Sequence, residues 1–359
     1  EAHFRLILWR FSLNMATNTK AIEKQVLAAQ ETGRLSLSNL GLEHIPSMAW
    51  SLDVKSASSA GVPWWQRSCL TSLDVSHNVV SALIIPADDD ISLDQIRSLN
   101  LSHNAISAIS HNIDAFSSLV SLDISHNRIE QIPTSLSSIR SLTSLNISNN
   151  MISLLPADCL PDALTCLSCH HNRIAELPDY LPISITNLDI SHNSLSALPR
   201  YISSLKSLQT LKAASNRICS LSIELSLLPN LITLDLSYNR IQDSLSLPNS
   251  IVTLNLSFNR LDNIRFISDM TLLVEVDLSN NVIASVPSDF INLNRLQLLN
   301  LRSNDLNDLP AELAMIKSLA TVYVNGNPLR RIRSNIWMKG WSSLKEYLLK
   351  RAGPQESWS

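Results

Sequence analysis

The chain is poor in glycine, cysteine, charge and long apolar runs, and each shortage removes a class of function. Only six of its 359 residues are glycine, and none of the six forms a phosphate-cradling loop or a dinucleotide fingerprint. A nucleophile elbow, a kinase motif set and a zinc-protease helix are also missing. The five cysteines (Cys69, Cys159, Cys166, Cys169 and Cys219) are scattered, without the clusters of a disulfide framework, which predicts a reducing compartment: a cytoplasmic protein, with the nucleus as the alternative. Charged residues make up 16% of the chain and leave a net charge of -3, so no bulk attraction to nucleic acid or to anionic membrane is expected. No run approaches the ~18 apolar residues that cross a bilayer. The segment Arg5 to Leu13 falls short of a signal-peptide core because Arg10 interrupts it, and Met15 is a plausible start, which leaves residues 1–14 as an N-terminal extension of uncertain origin.

What is abundant is a repeat. "SLDISHNRI" at Ser121 to Ile129 has near-copies at Ser72, Ser98 and Asn187, and the pattern Leu-x-x-Leu-x-Leu-x-x-Asn aligns twelve asparagines from Asn78 to Asn327 at spacings of 20 to 26 residues. A degenerate thirteenth copy begins at Arg34. The two-residue period of a strand places Leu145 and Ile147 on one face and Ser144 and Asn146 on the other. One repeat cannot hide its own leucines, so each must bury them against the next. The asparagine stands where the chain leaves the strand, and its amide is suited to backbone groups that the bend leaves unpaired. Apolar-Pro pairs at Pro133, Pro156, Pro178, Pro199, Pro287 and Pro310 mark the start of an irregular or short helical outer side.

This pattern is that of the leucine-rich repeat, and residues 34–327 resemble that family throughout. The resemblance implies an α/β solenoid: a curved horseshoe with a parallel β-sheet on its concave face and helical end caps. Strands about 4.8 Å apart would then give a sheet on the order of 55 Å along its arc. The ends resemble the leucine-rich repeat-containing protein forty family. The residues that match are Gly33, Leu35, Leu37 and Ser38 at the start, and Asn327 to Arg330, Arg333, Lys339, Gly340, Leu344, Tyr347 and Leu348 at the end. The apolar-Pro pairs are similar to those of Ras-group intracellular repeat proteins. The expected organisation is an N-terminal capping helix at 15–33, a solenoid of 12 to 13 repeats at 34–327 with an insertion at 51–68, and a C-terminal cap and tail at 328–359. The caps are expected to use Ile22, Val26 and Leu27 at one end and Ile336, Leu344, Tyr347 and Leu348 at the other.

The resemblance implies no enzymatic activity and no cofactor, but a monomeric scaffold for a protein partner. A regulator of a small GTPase or phosphatase complex is the alternative, and neither nucleic acid nor membrane is an expected partner. The outward positions nominate the binding residues. Tyr238 and Phe258 occupy neighbouring repeats with Arg240 and Arg260 beside them, an aromatic and arginine grouping that favours interfaces. With Lys212, Asp235, Glu275, Asp277, Leu298 and Tyr323 they make up the expected site. The column before the asparagine opens with His77, His103, His126, His171 and His192; parallel neighbours without a fixed third ligand argue against a metal. Asn149 breaks that column, and the expected stacked pairs are His77 with His103 and His171 with His192. "CLSC" at Cys166 to Cys169 puts its two thiols on opposite faces and is not a metal half-site. The Trp64-Trp65 loop is left open between a binding anchor and packing against the N-terminal flank, the Asp88 to Asp90 tip reads as solvated, and the basic C-terminal cap reads as a solvated face or an acidic-partner site.

Overall fold

A computed structural model of the chain describes residues 19–52, 68–86, 91, 93–221 and 225–352. Residues 1–14, the Trp64-Trp65 loop, the Asp88 to Asp90 tip and nearly all of the 51–68 insertion lie outside the described residues. The chain divides into two compact units, residues 1–172 and 173–359, a division the repeat spacing did not announce.

In the first unit, helix α1 (residues 19–32) leads into strand β1 (Arg34–Ser36), a short helix α2 (Met48–Ser51), and strands β2 (Ser72–Asp74), β3 (Ser98–Asn100), β4 (Ser121–Asp123), β5 (Ser144–Asn146) and β6 (Cys166–Ser168). Each strand pairs in parallel with the next and in identical register, so that Leu73, Leu99, Leu122 and Leu145 form one buried row. Three residues per strand suffice because the flanking apolar residues, such as Leu142 and Ile147, are also buried. Ile22, Val26 and Ala29 of α1 are buried as a cap requires, while Leu27 is only half-buried. Gly33 joins α1 to β1 at φ +68, and a Cβ there would collide with the Cys69 carbonyl oxygen, so only glycine fits. Trp50 is buried against Phe116, ring centres 6.0 Å apart.

The second unit repeats the design with strands β7 (Asn187–Asp189), β8 (Thr210–Lys212), β9 (Thr233–Asp235), β10 (Thr253–Asn255), β11 (Glu275–Asp277), β12 (Leu298–Asn300) and β13 (Thr321–Tyr323), all parallel and in sequence order. Single 3-10 turns back several of the strands, among them Arg200–Ser204, Ser288–Asn292 and Ala311–Met315. Pro199, Pro287 and Pro310 precede these three, as Pro133 precedes Thr134–Ser138 in the first unit, each with the fixed φ of proline and no N–H to leave unpaired. No such turn follows Pro156 or Pro178. The edge at β13 is closed by α3 (Ser334–Trp337) and α4 (Trp341–Arg351), which buries Leu344 and Leu348 on the last turn and strand. The Trp341 indole N–H donates to the Leu319 carbonyl at 3.2 Å, and Arg351 grips the Asp308 carboxylate with two bonds of 2.6 and 2.9 Å. Ile336 and Tyr347 are half-buried at this end.

The asparagines do what their position predicts. Asn239 accepts the Ile218 N–H on Oδ1 at 3.0 Å, while its amide faces the carbonyls of Ala213, Leu236 and Ser237 at 2.9 to 3.1 Å. Asn127 repeats that pattern in the first unit, with Ile106 as donor and Leu101, Ile124 and Ser125 as acceptors. Each therefore ties its own turn to the repeat before it.

Candidate functional site

The outward side of each repeat is organised by one backbone conformation. Every described residue directly before a ladder asparagine, from His77 to Ser303, has φ between +51 and +55, and Gly326 ends the series at +79. That left-handed region is sparsely populated by L residues, with Asn, Asp, His and Gly the usual occupants. It accounts for the histidine column: His, Asn, Ser and Gly stand before the asparagine because the turn there demands a positive φ.

A second column supports the same turn. Asp74, Asn100, Asp123, Asn146, Asp235, Asn255, Asp277 and Asn300 each accept, on Oδ1, the backbone N–H two residues on, at 2.9 to 3.2 Å. This local bond bends the chain out of the strand. The aspartates of the column thus serve turn building, and so do Asn100, Asn146 and Asn255, although each, with serine two residues on, reads as a glycosylation sequon.

The eight expected site residues all fall in the second unit. Lys212 is exposed at the end of β8, in register with Asp189 and Asp235. Glu275 is exposed on β11, in register with half-buried Leu298. Asp277 is committed elsewhere: its carboxylate accepts the Ser279 N–H and hydroxyl at 2.9 and 2.6 Å and the Asn300 amide at 2.9 Å, which leaves little capacity for a ligand. Tyr323 is half-buried, with the Arg302 guanidinium 4.1 Å over its ring. From β8 to β13 is five strand steps, or about 24 Å. A surface of that length suits a macromolecule rather than a small ligand.

At its centre Tyr238 and Phe258 stack in parallel, ring centres 4.0 Å apart and planes 10° from parallel. They remain 52% and 41% exposed. Both carry bulky rings at φ +53 and +54, where such residues are outliers. The position costs about 1–3 kcal/mol in strain, and a ring pair recovers about 0.5–1.5 kcal/mol, so stability alone does not call for aromatics there. Arg240 and Arg260 follow them, and Arg217 extends the same column one repeat earlier. Arg217 is legible in the sequence from "SNRI" beside "YNRI" and "FNRL", although serine rather than an aromatic precedes the asparagine in its repeat.

The expected pair of His77 with His103 is present, and the column extends beyond it. His77, His103 and His126 stand in consecutive repeats and stack three deep, with centres 4.2 and 4.0 Å apart, because the break at Asn149 comes only after the third. His171 and His192 fall in different units. The His103 pKa is lowered first by lost solvation and then by His126 and His77, with Asp123 acting in the opposite sense. Among the described residues no group of three His, Cys, Asp or Glu is placed to hold a metal ion. None of the five cysteines is in a disulfide; Cys169 is buried and Cys166 half-exposed, as opposite faces require. No helix among the described residues is long and apolar enough to cross a membrane.

Comparison with known proteins agrees with this geometry. Family models described as leucine-rich repeats match residues 94–152, 67–83 and 228–244. The chain is similar to YopM from Yersinia enterocolitica at 27% identity and a TM-score of 0.66, covering 86% of this chain and 59% of that one, so it spans about three fifths of YopM's length. It is also similar to the ectodomain of the Arabidopsis thaliana membrane receptor kinase GASSHO1/SCHENGEN3, solved in complex with CASPARIAN STRIP INTEGRITY FACTOR 2, at 24% identity and a TM-score of 0.58, covering 72% of this chain and 33% of that one. A third likeness is to TLR13 in its complex with ssRNA13, at 25% identity and a TM-score of 0.58, covering 78% of this chain and 46% of that one. The repeat, the parallel ladder it folds into and these matches together give the chain a leucine-rich-repeat fold.

Proposed function

We propose that the chain is a non-enzymatic scaffold that binds a protein partner through the strand face of its second unit, in the cytosol or nucleus. The observation that carries this reading is the Tyr238–Phe258 stack. Two large rings are held exposed, in a strained backbone conformation, on rungs that an asparagine ladder fixes in place. Rigid aromatic anchors of this kind dominate binding energy at protein interfaces. Lys212, Asp235, Glu275 and Leu298 lie on the flanking strands and supply the polar and apolar rim. The leucine-rich-repeat fold is typically an interaction module, and five scattered cysteines outside any disulfide fit a reducing compartment.

The test is capture of partners by the wild-type chain and by the double variant Tyr238→Ser, Phe258→Asn. Those residues already stand at the same left-handed position in Ser215 and Asn280, so the variant keeps the fold. Partners lost in the variant are the expected result; an unchanged set would remove the assignment. The identity of what is lost decides whether the scaffold serves a small GTPase or phosphatase complex.

A further inference from the structure

The structure points to the chemistry of the partner: we propose that the arginine column Arg217, Arg240 and Arg260, together with the Tyr238–Phe258 stack, receives an extended acidic peptide segment. This deepens the strand-face reading and rests on it. The backbone N–H groups of the three arginines donate to Leu195, Ile218 and Ile241 at 2.8 to 2.9 Å, so the residues stand on successive rungs. Rungs about 4.8 Å apart put the outer two arginines about 9.6 Å from each other. All three are exposed, and among the described residues none has a carboxylate within 4.0 Å. Three guanidinium groups without counter-charges, beside exposed rings, form a ready partner for carboxylates.

The aromatic column supplies the second contact. The rung before Tyr238 is Ser215, too short to cover the ring, so one face of Tyr238 is open to a planar group. An extended peptide carries alternate side chains on one side at about 6.7 Å, within reach of long arginines on 4.8 Å rungs. Its carboxylates would face the arginines while an aromatic side chain lies on Tyr238.

The sign of the neighbouring columns selects a peptide over a nucleic-acid strand. The strand positions of these repeats carry Asp189, Asp235, Asp277 and Glu275 against Lys212, a net acidic set. A polynucleotide is anionic at every residue and would meet these carboxylates as well as the arginines. A peptide can turn its acids to one side only and present N–H groups or a lysine to the other.

Fluorescence anisotropy tests this with a labelled peptide of about twelve residues alternating Glu and Tyr, against the matching Lys-Tyr peptide and an oligouridylate of similar length. The Glu-Tyr peptide is expected to bind the full chain and to weaken with salt. Both Arg217→Gln/Arg240→Gln/Arg260→Gln and Tyr238→Ser/Phe258→Asn are expected to weaken it by about tenfold or more. Absence of binding, equal binding by the arginine variant, or preference for either other probe overturns the inference. A protein partner lost with the aromatic variant but kept by the arginine variant would leave the strand-face reading standing and remove this one. Partners kept by both variants would remove the strand-face reading.

Discussion

Replacing Asn239 by alanine isolates what the asparagine ladder contributes. The residue is 8% exposed and its side chain makes bonds to four backbone groups. The three carbonyls it serves each keep another donor: Ala213 retains the Asn216 amide at 3.1 Å, Leu236 the Asn259 amide at 2.9 Å, and Ser237 the Ser215 N–H at 2.9 Å. The Ile218 N–H is different, because Oδ1 of Asn239 is its acceptor and the residue is fully buried. The variant therefore strands one buried donor, at about 1–3 kcal/mol, and loses the net worth of two amide bonds at about 0.5–1.5 kcal/mol each. Allowing for overlap between these, a loss of about 2–4 kcal/mol is expected. In a repeat protein such a loss is partly local, so amide exchange is the sharper assay. Exchange at Ile218 should speed up by about thirtyfold to a thousandfold at 1.4 kcal/mol per decade. The exposed Asn249→Ala serves as control, within about 0.5 kcal/mol of wild type. Equal exchange at Ile218 in the two variants would refute the ladder as a source of stability.

The His77–His103–His126 stack makes folding pH-dependent in the first unit. The folded His103 pKa lies below its ordinary value of 6.5, so on acidification the unfolded chain takes up its proton first. Stability is unaffected above about 6.5, falls as pH drops through that value, and levels off below the folded pKa. His103→Asn, which copies Asn149 at the same φ, should flatten urea midpoints between about pH 5 and 7; a slope equal to wild type would count against the stack. At the C-terminal cap, burial pushes the Asp308 carboxyl upward, but the Arg351 hydrogen bond, the Leu309 N–H and the charges of Arg351 and Arg331 hold it below the ordinary range. Its contribution is thus present at neutral pH and lost as pH falls through the folded value. Asp308→Asn should cost about 0.5–1 kcal/mol, since the pair is partly solvated, and a melting curve unchanged at neutral pH but shifted in acid would reverse the sign argued. Leu344→Ala, which empties a buried site over β13, should cost about 2–4 kcal/mol and expose the amides of Thr321 to Tyr323 to exchange; unchanged protection there would show that α4 is not the cover of that edge.

Much of the fold is legible in the sequence because its determinants are local and repeated. Leu145 and Ile147 declare their buried face by period alone, and Asn150 declares the turn. What the pattern does not carry is backbone sign: nothing in "SHN" states that its histidine sits at φ above +50, so an array of imidazoles looks like chemistry until the conformation is seen. The same holds for Asp277, whose charge suggests a ligand contact while its three internal bonds show a turn brace. Asp and Asn alternate in that column because both offer the Oδ1 the turn needs, a reason that charge counting misses. The division into two units at residues 172 and 173 leaves no mark in the sequence, because the repeat motif runs across it unchanged.

The candidate site was legible only as a departure from that regularity. A left-handed position filled by His, Asn, Ser or Gly obeys the backbone; one filled by Tyr238 or Phe258 does not, and a residue that breaks the local rule without gaining burial needs another source of advantage. Stacking returns part of the strain, yet it would be returned in full by asparagine, which avoids the strain. The arginines add to this, since Arg217, Arg240 and Arg260 stand exposed on successive rungs with no carboxylate within 4.0 Å among the described residues. Strain, exposure and unpaired charge converge on three adjacent repeats of the second unit, and an external anionic and planar group answers all three together. On the proposed reading the eight residues nominated from sequence divide by cause: Tyr238 and Phe258 as anchors, Lys212, Asp235, Glu275 and Leu298 as rim, Tyr323 as the ring under the Arg302 guanidinium, and Asp277 as the brace of the turn that displays its neighbours.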